Sequence, residues 1–224
     1  MSKKKKSTQK NRPVQKQQAQ KPRKFGLISV ISICAVVVVA LGIWAITRGT
    51  SSPATTGGDV YYADIAIRNY GTVTVKLDPK SAPITTDNFV KLAREGFYDG
   101  LTFHRIMEGF MMQGGDPKAN GSGGSDTKIK GEFSANGVNN PLSHTRGAIS
   151  MARSKQMDSA SSQFFIVHQD SLFLDGQYAV FGYVTKGMEV VDAVCDAAKP
   201  TDNNGTIPRD QQPVIESVTI RTTE

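Results

Sequence analysis

Twenty-three consecutive residues without a charge, Phe25–Thr47, limit where this 224-residue chain can build a domain. Most are Val, Ile, Leu, Ala and Phe. As a helix rising about 1.5 Å per residue, the run would span the roughly 30 Å hydrocarbon core of a bilayer. The 24 residues before it hold eight Lys, two Arg and no acid. Their Lys, Gln, Ser and Pro content is too polar to build a core. Only the part after the apolar run is left to fold as a globular unit.

Charge follows the same division. All 20 acidic residues lie from Asp59 onward, so the formal net charge of +7 belongs to the N-terminal tail. The region beyond is mildly acidic, which argues against a nucleic-acid-binding surface. Ten positive charges ahead of the apolar run favour a cytoplasmic N-terminus and place everything after Arg48 on the far side. Trp44 suits an interfacial position. A cleaved signal peptide is the rival reading, but its apolar region is normally about 7–15 residues with an A-x-A-like site, and Ala45-Ile46-Thr47 is a poor one. Lipoprotein processing fits worse, because Cys34 follows the bulky Ile33. The expected organisation is a basic tail at 1–24, a transmembrane helix at 25–47, a flexible linker at 48–58 and a folded domain at 59–224. The protein is expected at the cell membrane, single-pass, with that domain extracytoplasmic.

Within the domain, Tyr61–Ile67 and Thr72–Leu77 alternate around Asn69-Tyr70-Gly71 and predict a hairpin. A helix is expected from Pro83 to Glu95, with proline in its first turn and Gly96 as its stop. Residues 97–185 alternate short β-type runs with Gly-rich turns, which suggests a barrel or sandwich. A second helix is expected over Met188–Ala198 and a last strand over Val214–Thr222. Val191, Val194, Cys195 and Ala198 share a helical face, so Cys195 reads as a small buried hydrophobe.

Two segments carry chemistry. The first is Phe103-His104-Arg105-Ile106-Met107-Glu108-Gly109-Phe110-Met111-Met112-Gln113-Gly114-Gly115-Asp116, and the second is Ser162-Gln163-Phe164-Phe165-Ile166-Val167. From spacing alone, Phe110, Met111, Phe165 and Leu174 read as ordinary core, and Arg105 as a surface cation. His104 alternates with Arg105 and should face the other way in a structural role. His144 and His168 have no partners at metal-ligand spacing. No serine sits in a G-x-S-x-G elbow.

Together with Gly147–Ala152, Leu174-Asp175-Gly176 and Val180-Phe181-Gly182, these motifs resemble the cyclophilin family of peptidyl-prolyl isomerases over about residues 60–222. The resemblance implies a mainly β fold: a closed eight-stranded antiparallel β-barrel capped by two α-helices, here preceded by the transmembrane helix. It implies rotation about X–Pro bonds in proline-containing polypeptides, with no cofactor and no metal. By position, Arg105 matches the family's catalytic arginine. Phe110, Met111, Phe165 and Leu174 match its proline pocket. Gln113, Ala152, Arg153 and Gln163 match its substrate-backbone contacts, and Phe173 and Tyr178 stand at further pocket positions. Three residues depart from the usual pattern. Phe173 replaces a common tryptophan, which counts against tight cyclosporin binding. Tyr178 replaces a pocket histidine, and Arg153 replaces an asparagine. A monomer is expected.

The chemistry needs no nucleophile. The X–Pro bond has partial double-bond character and a barrier of about 18–20 kcal/mol. Reaching milliseconds requires roughly 10⁴-fold acceleration, or about 5–6 kcal/mol. A charged donor aimed at the prolyl nitrogen could supply about 3–4 kcal/mol, and an apolar slot for the ring the rest. The alternative is a membrane-tethered chaperone or peptide-binding module that uses the same groove with weak or no isomerase activity; an inactive scaffold is disfavoured by the intact Arg105, Phe110, Met111 and Gln113.

Overall fold

The computed structural model describes residues 60–223. The expected basic tail, transmembrane helix and linker lie outside the described residues. Among the described residues no helix is long and apolar enough to cross a membrane.

The chain opens with β1 (Tyr62–Ile67) and β2 (Gly71–Leu77), joined by a tight turn in which Asn69 has φ of 66°. Ala63, Ile65 and Ile67 point inward from β1, as their period of two requires. The helix α1 (Pro83–Arg94) follows, with proline in its first turn. It has no capping side chain of its own. Instead the buried Glu132 carboxylate accepts from Ile84 N at 3.0 Å and Thr85 N at 2.7 Å, supplying negative charge at the helix N-terminus. Gly96, with φ of 69°, ends the helix as Phe97 N bonds back to Leu92 O.

Six strands complete the set: β3 (Phe103–Met107), β4 (Met111–Gly114), β5 (Ala148–Met151), β6 (Phe164–Val167), β7 (Val180–Lys186) and β8 (Ile215–Arg221). The helix α2 (Met188–Ala197) lies between β7 and β8 and buries Val191, Val194 and Cys195. Burial pushes the Cys195 thiol up to about 12, so it stays a neutral apolar group. All pairings are antiparallel, in the order β3-β4-β6-β5-β7-β2-β1-β8.

The sheet curls without the full closure expected from sequence. Its edges, β3 and β8, meet beside one isolated bridge, Thr102 to Val214, flanked by Phe103 N donating to Pro213 O and Ile215 N to Leu101 O. Two features stop a ladder there. Pro213 has no N–H to donate. Farther along β3, Ile106 N is taken by Gly205 O, and His104 O by Ile207 N. The result is a half-barrel with a loop sealing one edge.

The sheet is apolar on both faces. Phe164 and Ile166 of β6 enter the interior core, while Phe165 and Val167 enter a smaller outer cluster. Inside, Phe164 meets Phe89, Tyr98 and Phe103 edge-on with centroids 5.5–6.0 Å apart, so α1 plugs the curl through an aromatic cluster. Outside, Met111, Ala148, Phe165, Val167 and Val180 form a smaller buried cluster, against which Phe110, Ala152, Leu174 and Tyr178 pack while staying partly exposed.

Candidate active site

The outer cluster ends in a cleft of about 230 Å³. Arg105, Phe110, Met111, Gln113, Ala152, Arg153, Phe165, Leu174 and Tyr178 line it. Two further residues singled out from sequence stand beside it. Gln163 lines an adjoining cleft, and Phe173, 68% exposed, stands on the rim with its ring 5.6 Å from that of Phe110.

A bulge sets the direction of Arg105. The β3–β4 register shifts between Phe103 and Arg105, so Phe103 and Ile106, three residues apart, both reach the interior. Arg105 is thereby turned to the cleft, opposite Gln113 in the register. His104 is buried and is absent from the lining of this cleft. The bulge, however, breaks its alternation with Arg105, and its ring lies beside the Gly121 loop, in a neighbouring cleft that Arg105 and Gln113 also line. Burial, reinforced by the charge of Arg105, lowers the pKa of His104 despite Asp116, which keeps it neutral.

Arg105 is fixed from two sides. Its Nε donates to Asn204 O at 2.7 Å, and Nη1 donates to Gln113 Oε1 at 3.3 Å. The other contacts of its Nη groups are thioether sulfurs, Met107 Sδ at 3.2 Å and Met111 Sδ at 3.7 Å, which are weak acceptors. No carboxylate pairs with it among the described residues. Burial lowers its pKa, yet a guanidinium remains a cation at any working pH. Asn204 reaches it because the loop 201–208 runs along β3. Gly205 (φ 84°) permits that approach, since a Cβ there would lie 2.7 Å from Ile106 O.

The orientation of Gln113 is also determined. Its Nε2 donates to Gln163 Oε1 at 2.8 Å, while Gln163 Nε2 donates to Gly123 O at 2.7 Å and Gly121 O at 3.1 Å. Each amide therefore turns its oxygen toward the next donor, ending at Arg105. The loop that supplies these carbonyls is anchored by Asp116, which is fully buried. Its carboxylate accepts from Lys118 N, Asn120 N and Gly121 N at 2.6–3.1 Å, and also from Gly123 N. Burial opposes the charge, but these donors outweigh it and hold the pKa below the ordinary 3.8.

The floor is braced as well. His144 stacks on Phe165 with centroids 5.9 Å apart and an interplanar angle of 13°. Its Nδ1 lies 2.7 Å from Asp175 Oδ1 and its Nε2 lies 3.0 Å from Ser150 Oγ. This row resembles one that activates a serine nucleophile, but Ser150, on β5, is fully buried and no substrate can reach it. Burial lowers the pKa of His144 against the pull of Asp175, so a neutral imidazole held by a carboxylate braces the floor.

Sequence reasoning assigned no role to Asp116, Asn204, His144 or Asp175. Asp116 had a readable signal: an Asp after Gly-Gly and before a Gly-rich run favours a carboxylate-capped turn. Asn204 acts through its main-chain carbonyl, which no residue type reveals.

Asp116→Asn replaces a charged acceptor with a neutral one that has a single oxygen. The expected loss is about 1–3 kcal/mol of stability at pH 7. A carboxyl with a depressed folded pKa contributes stability above its unfolded value near 3.8 and loses it as pH falls through the folded value. The gap between wild type and variant should therefore narrow in acid, as read by urea denaturation at pH 7 and near pH 3. An equal gap at both would contradict this assignment.

Residues 62–224 match the family described as cyclophilin type peptidyl-prolyl cis-trans isomerase/CLD. Peptidyl-prolyl cis-trans isomerase B of Bacillus subtilis is 50% identical over 117 residues, covering 52% of this chain and 78% of the relative. Peptidyl-prolyl cis-trans isomerase A of Dickeya dadantii is 42% identical over 180 residues, covering 77% and 87%. Among solved structures, a Cryptosporidium parvum cyclophilin type peptidyl-prolyl cis-trans isomerase in the presence of the dipeptide Ala-Pro superposes with a TM-score of 0.63 at 28% identity, over 72% of this chain and 99% of that one. With a mainly β half-barrel, two helices and this match across the described domain, the chain belongs to the cyclophilin-type peptidyl-prolyl cis-trans isomerases.

Proposed function

We propose that Arg105 accelerates X–Pro rotation while Phe110, Met111, Phe165 and Leu174 hold the proline ring, in polypeptides that have been exported or are unfolded. The carrying observation is a guanidinium on the wall of an apolar cleft with no carboxylate partner among the described residues. A proline ring in the cleft puts its nitrogen beside Arg105. As the preceding carbonyl swings out of plane, the nitrogen lone pair leaves resonance and can accept a hydrogen bond. An Nη–H that meets only a thioether before binding gives up little when it turns to that nitrogen. Fixing Nε on Asn204 and Nη1 on Gln113 means the donor needs little reorganisation at the transition state. Gln113, Ala152, Arg153 and Gln163 are assigned to the peptide on either side of the ring. Tyr178 closes one wall and Phe173 the rim. The family neighbour's Ala-Pro dipeptide supports a proline-bearing substrate class.

Arg105→Ala should lower kcat/KM by about 10²–10³-fold, the scale for one preorganised donor. Arg105→Lys should restore little, because a point ammonium cannot keep the Asn204 and Gln113 contacts together. Exchange NMR on a proline peptide reads both. If the Arg105→Ala variant keeps its rate, the site is a peptide-binding surface instead; if it still suppresses aggregation after losing its rate, chaperoning is a separate activity.

We also propose that the chain is tethered by residues 25–47 with the isomerase domain outside the cytoplasm, where exported chains fold and prolyl isomerisation can limit the rate. The ten leading positive charges and the uncharged run support this. Protease added to intact cells or protoplasts should digest the domain, and full protection would refute the topology.

A further inference from the structure

Beyond Gln113 and Ala152 the apolar cleft continues into a second, polar one of about 330 Å³. Both clefts share Gln113, Ala152 and Arg153 in their walls. A polypeptide with its proline ring in the first can therefore lay a neighbouring residue in the second. Two cations, Arg153 and Lys128, line this second cleft, and no carboxylate does.

Arg153 is held ready. Its guanidinium lies 4.6 Å from the Tyr178 ring centroid and 5.0 Å from that of Phe133. Its Nε donates to Gln177 O and its Nη1 to Ser154 O, both at 2.9 Å. These acceptors are neutral, so the charge is uncompensated among the described residues. Asp158, the nearest acid in sequence, uses Oδ1 to accept from Gly131 N and Asn136 Nδ2. The exposed Lys128 adds a second charge.

We propose that this second cleft selects acidic side chains, so that preferred substrates carry Glu or Asp within two residues of the target proline. The inference rests on the isomerase reading and narrows its substrate class. A carboxylate in this cleft is attracted by both cations of its lining, whereas Lys or Arg there meets like charge. Both cations are partly or fully exposed, which makes the preference modest and sensitive to salt.

The test uses the full chain and peptides with Glu, Ala or Lys at each of the two positions on either side of the X–Pro bond. Both kcat/KM and binding affinity are measured at low salt and near 0.5 M salt. At one position Glu should exceed Lys by about three- to tenfold, and the ratio should fall toward one at high salt. Lys128→Gln and Arg153→Gln should each shrink the ratio, and Lys128→Glu should invert it. Because the readout is a ratio within one protein, a general loss of activity cancels. Ratios within twofold at all four positions, or unchanged in the variants, would overturn the inference. Absence of turnover on every peptide would overturn the isomerase reading, and the affinity ratio would still decide the charge preference.

Discussion

A row of amide hydrogen bonds runs from a buried carboxylate to the cation of the cleft. Asp116 gathers the backbone donors of the loop 118–123, and that loop presents the Gly121 and Gly123 carbonyls to Gln163. Gln163 then orients Gln113, and Gln113 orients Arg105. An arginine side chain left free would lose about 2 kcal/mol of rotamer entropy on being fixed. Here much of that ordering belongs to the folded state. The carbonyl of Asn204 completes the clamp from the other side.

The sheet makes such a site possible because it is apolar on both faces. Phe164 and Ile166 build the interior with α1, while Phe165 and Val167, one residue out of phase, build the floor of the cleft. The interior gives the floor its rigidity, and His144, pinned by Asp175 and Ser150, supports Phe165 from behind. The incomplete seam between β3 and β8 serves the site as well. Because β3 does not pair fully with β8, its edge is open to the loop 201–208, and that loop carries Asn204.

Much of this was legible in the sequence where the code is local. The first hairpin, both helices and the last strand follow from period, proline and glycine, and the boundaries of α1 match because Pro83 and Gly96 mark them. The residues lining the cleft came from a motif match, since Phe110, Met111 and Phe165 have the spacing of ordinary core. What escaped was non-local or main-chain. The cap on α1 comes from Glu132, 48 residues from Ile84 and 47 from Thr85, so no window around Pro83 contains it. The bulge at His104 reverses the phase of β3, and simple alternation would have put Phe103 and Ile106 on opposite faces. The barrel's closure failed at Pro213, whose missing N–H was visible but whose partner strand was not.

The account reduces to a placement: a proline ring on Phe165 and Met111, with its nitrogen facing Arg105. A crystal structure of the domain with a bound proline peptide tests this most directly. The account predicts an Arg105 Nη within hydrogen-bond distance of the prolyl nitrogen or its preceding carbonyl, Nε still on Asn204, and Gln113 unturned. A ring seated elsewhere, or an Arg105 that swings away from the peptide when the cleft is filled, would contradict it.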